Sequence, residues 1–552
     1  MNDADYTLCA LLGYSTPNSK NMSQDSVCPS CTLCLWRLHS CSCKKKKRET
    51  SSVCECIWVL LVLCVFLFTL IWMYVTLILK NDIHNFNEEI FRLLGLWQDW
   101  SVVLITVAAV LLTYCLLLLL LSLCLVLCAQ PLRLHWLHKV LLFVCIVLVC
   151  LGIIGLDLKW NIEWKVVAIS LQATSPFLHI GAVIGVSALA WVLAGYFWET
   201  KNKVLKYLLT LVYIILVCAL FVSPLFISSP CIMKASELPP RPWLIGHRGA
   251  PMLAPENTMM SFEKMVESEG RVFETDVMMS WDGIPFLMHD ELLLRTTNVK
   301  EVFPLRFREN CTNFTWSDLQ QLNAGEWFLQ RNPFGTRSTL VDVEREVKSQ
   351  KIPSLEEVLL ACKNLSISIL FDLRQPPPGH PYNESFVNVT LDTILKTDIS
   401  QELVLWLPDD EREEVIKRAP GFQQIYKRKV EKNDTIDAVN LSYTNLSVPE
   451  IRSYRQENIS VNLYVVNKPW LYSHLWCAGA TSVTTNAIQL LKDLKHPVWL
   501  LDPYNYLVIW IVADVIALIH IIWAFVLQRK CLRRKEEESE AVLLMKIESL
   551  IS

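Results

Sequence analysis

His247 and Arg248 follow the short apolar run 243–245, so an imidazole and a guanidinium stand where a strand would end. An imidazole can move a proton near neutral pH, and a guanidinium offers a planar fork of donors matched to phosphate oxygens. Gly249 then allows a sharp turn. Glu274 and Asp276 lie two apart between Val272, Phe273, Val277 and Met278, which puts both carboxylates on one face of a buried strand. Two inward acids at that spacing repel unless a cation joins them. Asp372 ends another apolar run and shares its face with Arg374, supplying a third oxygen ligand and a second phosphate contact. Three carboxylates without clustered cysteine favour a hard ion, Mg²⁺ or Ca²⁺, over zinc. His289, beside Asp290 after the Asp282-Gly283 turn, is open to two readings: a second acid/base or a further metal ligand.

The elements that must position these groups recur regularly. Short apolar runs fall at 243–245, 272–278, 367–373, 403–407, 424–426, 438–441, 461–466 and 480–484. Helix-like stretches lie between them; the one after Ser354 opens with an N-cap residue and early acids. Strands alternating with helices over this length predict a parallel α/β sheet closed into a TIM-type (β/α)₈ barrel, with an open doubly wound sheet as the alternative. Residues 292–351 interrupt the pattern and are expected to cover the mouth.

The rest of the chain has a different character. Of 552 residues 53% are hydrophobic and only 19% charged, and long blocks before residue 230 carry almost no charge. The net charge of -3 argues against nucleic acid as a partner. Apolar segments at 57–79, 101–128, 140–156, 177–198, 205–227 and 506–527 predict six α-helical membrane spans. No removable signal peptide is expected, because no apolar core with a small-residue cleavage site precedes them.

Lys and Arg at alternate segment ends place 1–56, a cysteine-rich basic tail, and 528–552 in the cytoplasm. Five spans then occupy 57–230, the domain 235–503 faces outward, and 506–527 is the sixth span. Nine sequons cluster in the outward stretch, at Asn310, Asn313, Asn364, Asn383, Asn388, Asn433, Asn440, Asn445 and Asn458. All but Asn313, too close to Asn310, are expected glycan acceptors. Cys231, Cys311, Cys362 and Cys477 are available there for disulfides, with the pairing open. Cys28, Cys31, Cys34, Cys41 and Cys43 beside the basic run suit reversible acylation, with zinc binding or redox sensing as alternatives. Within the spans, His179, Asp514 and His520 read as packing groups ahead of a transport path.

Taken together, GHRG from Gly246, PEN from Pro255, ETD from Glu274, the His289-Asp290 pair, LNAGEWF from Leu322, IPSLEEVL from Ile352 and FDLR from Phe371 resemble the glycerophosphodiester phosphodiesterase family. YVVN from Tyr464 and GATSVTTN from Gly479 extend the resemblance over almost the whole outward domain, and the six spans point to the membrane branch. The resemblance implies a phosphodiesterase barrel with His247 and His289 as acid and base, Arg248 on the phosphate, and a divalent ion at Glu274 and Asp276. Many soluble members carry Glu-x-Lys where this chain has Asp372-Leu373-Arg374. Glu256 and Asn257 are then expected to support the first loop. Trp327, Phe328 and Trp470 are candidates for the wall around the alcohol.

Hydrolysis of a glycerophosphodiester, of the glycerophosphoinositol or glycerophosphocholine type, at the outer face of the plasma membrane is the expected activity. Cleavage of lipid-anchored glycans on surface proteins, a non-catalytic barrel receptor and a transporter are the alternatives. Oligomeric state is not legible.

Overall fold

The computed structural model describes residues 53–80, 86–94, 98–127, 134–199, 203–335, 343–431 and 436–551. The tail cysteines, the basic run 44–48 and Asn433 lie outside the described residues.

The strands are β1 (Trp243–His247), β2 (Val272–Met279), β3 (Pro285–Leu287), β4 (Ser368–Leu373), β5 (Val404–Trp406), β6 (Gln423–Gln424), β7 (Ala438–Ser442), β8 (Ser460–Tyr464) and β9 (Ser482–Thr485). They hydrogen-bond in the order β6-β5-β4-β2-β1-β9-β8-β7, every neighbour on this path parallel. A bridge from Tyr426 to Val439 joins the two ends: the Tyr426 N–H donates to Ala438 O at 3.1 Å and its carbonyl accepts from Asn440 at 2.9 Å. The sheet is therefore a closed TIM-type barrel, not an open one. β3 lies off the ring as an antiparallel partner of β2 and was not expected.

The strands read as apolar runs because parallel barrel staves are covered on both sides. All eight residues of β2 are buried. Phe262, on the helix Met259–Glu267, meets Phe273 edge-on at 5.2 Å, seating that helix on the sheet. Thr258 caps this helix by accepting the Ser261 N–H, and Ser354 caps Leu355–Leu365 by accepting the Glu357 N–H, as its sequence predicts. A polar layer fills part of the barrel interior. Asn462 donates to Asn440 Oδ1 at 2.7 Å and to Thr484 at 2.8 Å, and accepts from Ser482 at 2.9 Å.

The interruption after β3 is not a bare loop. Its short helices Val299–Val302 and Trp316–Gln321 pack with Cys311 and Phe314 against Met278, Phe286 and Met288. Ahead of β1, Cys231 forms a disulfide with Cys477 on the helix Pro469–Ala478, while Cys311 and Cys362 are free and buried.

The second unit comprises, among the described residues, six helices long and apolar enough to cross a membrane: Leu60–Ile78, Trp100–Ser122, Trp136–Lys159, Glu163–Gly195, Lys206–Phe226 and Pro503–Met545. Gly152 lets its helix pass Trp72, whose ring would lie 2.4 Å from an added Cβ. The fourth helix begins at Glu163 rather than 177, since it continues through Pro176. The last runs on to Ile551 through Lys-, Glu- and Leu-rich sequence that favours helix. His520 accepts from Trp191 at 2.9 Å and Asp514 from Trp510 at 2.7 Å, so both polar groups are tied to indoles.

Candidate active site

The barrel register puts the reactive side chains at one end, where the strands finish. His247 is the last residue of β1 and pairs with Glu274 on β2; Asp276 pairs with Asp372 on β4. Active sites of this architecture are built at that end. Arg248, the next residue, takes φ 54°, a conformation that favours glycine, and Gly249 follows at φ 91°. This reversal turns the Arg248 N–H onto Glu274 Oε2 at 2.9 Å. A Cβ at Gly249 would lie 2.4 Å from Ser261 Oγ, so only glycine fits the turn.

Around this turn the charges are interlocked. Arg248 donates from Nη1 to Glu256 at 2.8 Å, and its Nε lies 3.2 Å from Asp276 Oδ2. Asp276 also accepts from Arg374 at 3.0 Å and from Asn257 at 3.2 Å. Burial alone would raise its carboxyl, but Arg248 first, then His289, Arg374 and His247, hold it below the ordinary value. Glu274 goes the other way: burial and the Asp276 charge raise its carboxyl, with Arg248 opposing and Asp372 adding to the rise. One of two neighbouring acids is thus strongly ionised and the other is short of positive charge.

The two histidines are held by different partners. His247 Nδ1 is 2.6 Å from Asn486 Oδ1, and an amide oxygen only accepts, so Nδ1 carries the proton and Nε2 the lone pair. Burial, with Arg248 second, lowers its pKa to about 4. His289 Nδ1 donates to Asp290 Oδ1 at 2.6 Å. Asp290 is in turn gripped by Arg295, through Nε at 2.6 Å and Nη2 at 2.9 Å. The same guanidinium holds Glu256 through Nη1 at 2.9 Å and Nη2 at 2.6 Å. Burial opposes ionisation of Glu256 and Asp290; Arg295 overcomes it at both, with Arg248 assisting at Glu256 and His289 at Asp290.

His247, Arg248, Glu274, Asp276 and His289 are thus brought into one electrostatic cluster. The expected four-residue metal set does not close. Among the described residues, no group of three His, Cys, Asp or Glu side chains is gathered for a metal ion. His289 Nδ1 is committed to Asp290. Asp372 Oδ1 is 2.5 Å from Lys427 Nζ, and its Oδ2 is 3.8 Å from Arg374.

Other expectations need correction. Trp327 is not a substrate wall: it is buried among Ala254, Met260, Phe328 and Val347, donates its indole N–H to Ala324, and has the Arg295 guanidinium over its ring. Trp470 is half-buried at the start of the helix that follows β8. Asn440 is no glycan acceptor, since its side chain is buried in the barrel and accepts from Asn462. The amide nitrogens of Asn383 and Asn388 are engaged by Pro376 O and Glu411, and the Asn310 oxygen caps Thr312. Asn364, Asn445 and Asn458 are exposed. Arg295, Lys427 and Asn486 were missed. The sequence signals for them are the place of Asn486 at the end of GATSVTTN and that of Arg295 five residues after Asp290; Lys427 has none.

Residues 247–490 match the family described as the glycerophosphoryl diester phosphodiesterase family. Over 530 residues the chain is 48% identical to a Homo sapiens protein named glycerophosphoinositol inositolphosphodiesterase GDPD2, covering 95% of this chain and 98% of that protein. It is 42% identical over 505 residues to glycerophosphodiester phosphodiesterase domain-containing protein 5 of Gallus gallus, covering 90% of this chain and 84% of that one. With domain-containing protein 4 of Mus musculus the identity is 35% over 535 residues, covering 90% and 83%.

Proposed function

We propose a reaction for this chain from one premise: it belongs to the glycerophosphoryl diester phosphodiesterase family. It is a phosphodiesterase, and the substrate we propose is a glycerophosphodiester of the glycerophosphoinositol type. The observation that carries the proposal is the gathering of His247, Arg248, Glu274, Asp276 and His289 at the finishing end of the barrel strands.

In the proposed mechanism Arg248 binds the phosphodiester oxygens, where its guanidinium is fixed by Glu256 and Asp276. His247, kept neutral by burial with Nε2 unprotonated, takes the proton of the attacking hydroxyl or water. The new oxygen–phosphorus bond forms as the bond to the leaving alkoxide breaks. His289, oriented through Nδ1 by Asp290, delivers a proton to that alkoxide. The family resemblance adds a divalent ion. The donor set fits one: Glu274 and Asp276 are hard oxygen donors two residues apart on buried β2, and burial with the Asp276 charge raises the Glu274 carboxyl even with Arg248 opposing. Held there, the ion would supply charge neutralisation at the phosphoryl oxygens.

The proposed setting is a membrane, with both termini cytoplasmic and the barrel outside the cell. Its support is the Cys231–Cys477 disulfide, which suits an oxidising compartment, and the exposed sequons at Asn364, Asn445 and Asn458. Glycosidase sensitivity and impermeant labelling of intact cells test it.

The activity is tested by incubating the purified full-length protein with a panel of glycerophosphodiesters, with and without chelator, and identifying both products. Glycerophosphoinositol should be cleaved by the wild type and not by His247→Ala. Undiminished turnover in that variant would sink the assignment.

A further inference from the structure

Asp372 meets a cation belonging to the chain itself. Lys427 is the first residue beyond Tyr426, whose main chain closes the barrel onto β7 and whose ring lies under Arg412 at 4.3 Å. The lysine stem therefore starts from the seam where the barrel closes. Its Nζ reaches Asp372 Oδ1 at 2.5 Å, while Arg374 spends its shorter contact, 3.0 Å, on Asp276. The pair is partly open to solvent, with side chains 38% and 32% exposed, whereas the Asp276 side chain is 4% exposed. Asp372 faces Asp276 across the β2–β4 register and adds to the charge felt by Glu274. Two of the three carboxylates are thus sealed in and the third is tethered to an ammonium at the rim.

We propose that Lys427 is a built-in competitor for the divalent cation, holding Asp372 so that the ion and the ammonium exclude each other at that carboxylate. This deepens the reading of the site as a divalent-assisted phosphodiesterase and rests on it. Engagement of Asp372 by the ion releases the ammonium at the mouth, where it meets an anionic substrate. Metal and phosphodiester then favour each other's binding through one side chain. An exposed ion pair sets the size of the competition at up to about 5-fold in affinity.

The test is a calorimetric titration of the full-length protein with Mg²⁺ and, separately, Ca²⁺, at low ionic strength and without phosphate. Lys427→Met should bind the ion more tightly than wild type, by up to about 5-fold. Lys427→Gln is a second variant with the same expectation, and Lys427→Arg should stay near wild type. In an Asp372→Asn background, Lys427→Met should change nothing. Unchanged or weaker binding in both Met and Gln variants, a gain that survives Asp372→Asn, or no binding in any of these proteins would overturn the proposal. A wild type that binds the ion but cleaves no glycerophosphodiester would remove the proposed reaction and leave the competition standing.

Discussion

His247 Nδ1 and Asn486 Oδ1 lie 2.6 Å apart, and the Asn486 N–H is itself held by Asn467 Oδ1 at 2.9 Å. The ring on β1 therefore takes its tautomer from the loop after β9, its neighbour in the barrel. Burial followed by Arg248 lowers the His247 pKa to about 4, and the neutral ring is the one able to accept a proton. As pH falls, activity should persist through the usual imidazole range and drop only near pH 4 to 5. Asn486→Ala removes a contact that favours the charged ring, so the acid limb should not move up, while kcat falls roughly 10- to 100-fold. A pH profile of kcat/KM for both proteins checks this; an acid limb at the ordinary imidazole value would contradict it.

Arg295 joins the two sides of the site. Replacing it with Met strands two buried carboxylates, at a cost of about 3–5 kcal/mol. Arg295→Lys should rescue little, because an ammonium cannot serve Glu256 and Asp290 with one planar fork. Thermal melting and steady-state kinetics of the two variants should show kcat falling further than stability alone explains. Full activity in Arg295→Met would show that the network is dispensable.

Asn440 fulfils the glycosylation motif yet is 6% exposed and bonded inside the barrel. Glycopeptide mapping of protein from a secretory host should find carbohydrate on Asn364, Asn445 and Asn458 and none on Asn440. Asn440→Ala should leave the glycan mass unchanged and cost about 1–3 kcal/mol, because Asn462 loses its acceptor.

A strand covered on both faces is written as an apolar run, which is why the staves were legible with only their ends shifted; β6, Gln423–Gln424, is the exception and was marked only by Ile425 and Tyr426 beside it. β4, expected at 367–373, forms Ser368–Leu373, and β8, expected at 461–466, forms Ser460–Tyr464. Glu274 and Asp276 were readable because strand alternation puts residues two apart on one face, and His247, Arg248 and Asp372 because they stand where apolar runs end. Arg295, Lys427 and Asn486 reach the cluster from loops, where no periodicity announces a direction. Trp327 misled because an aromatic near a motif reads equally as wall or as filling. The start of the fourth apolar helix was missed because Pro176 and the polar residues before it look like a boundary.

The disulfide Cys231–Cys477 closes a loop of sequence separation 246, taking in nearly the whole barrel. Cys231→Ser with Cys477→Ser should lower barrel stability by about 2–4 kcal/mol. Denaturant melts followed by barrel tryptophan fluorescence measure this. No change in midpoint would mean that the bond forms without stabilising the fold.

β6 is two residues long and meets β7 through the single bridge at Tyr426. Of all the joints in the ring this one has the fewest main-chain bonds to break, so the cylinder is expected to breathe there first. In deuterated buffer the amides of Tyr426 and Asn440 should exchange ahead of those between β2 and β4. The catalytic rim would then have one loose hinge-line, and Lys427 stands on it.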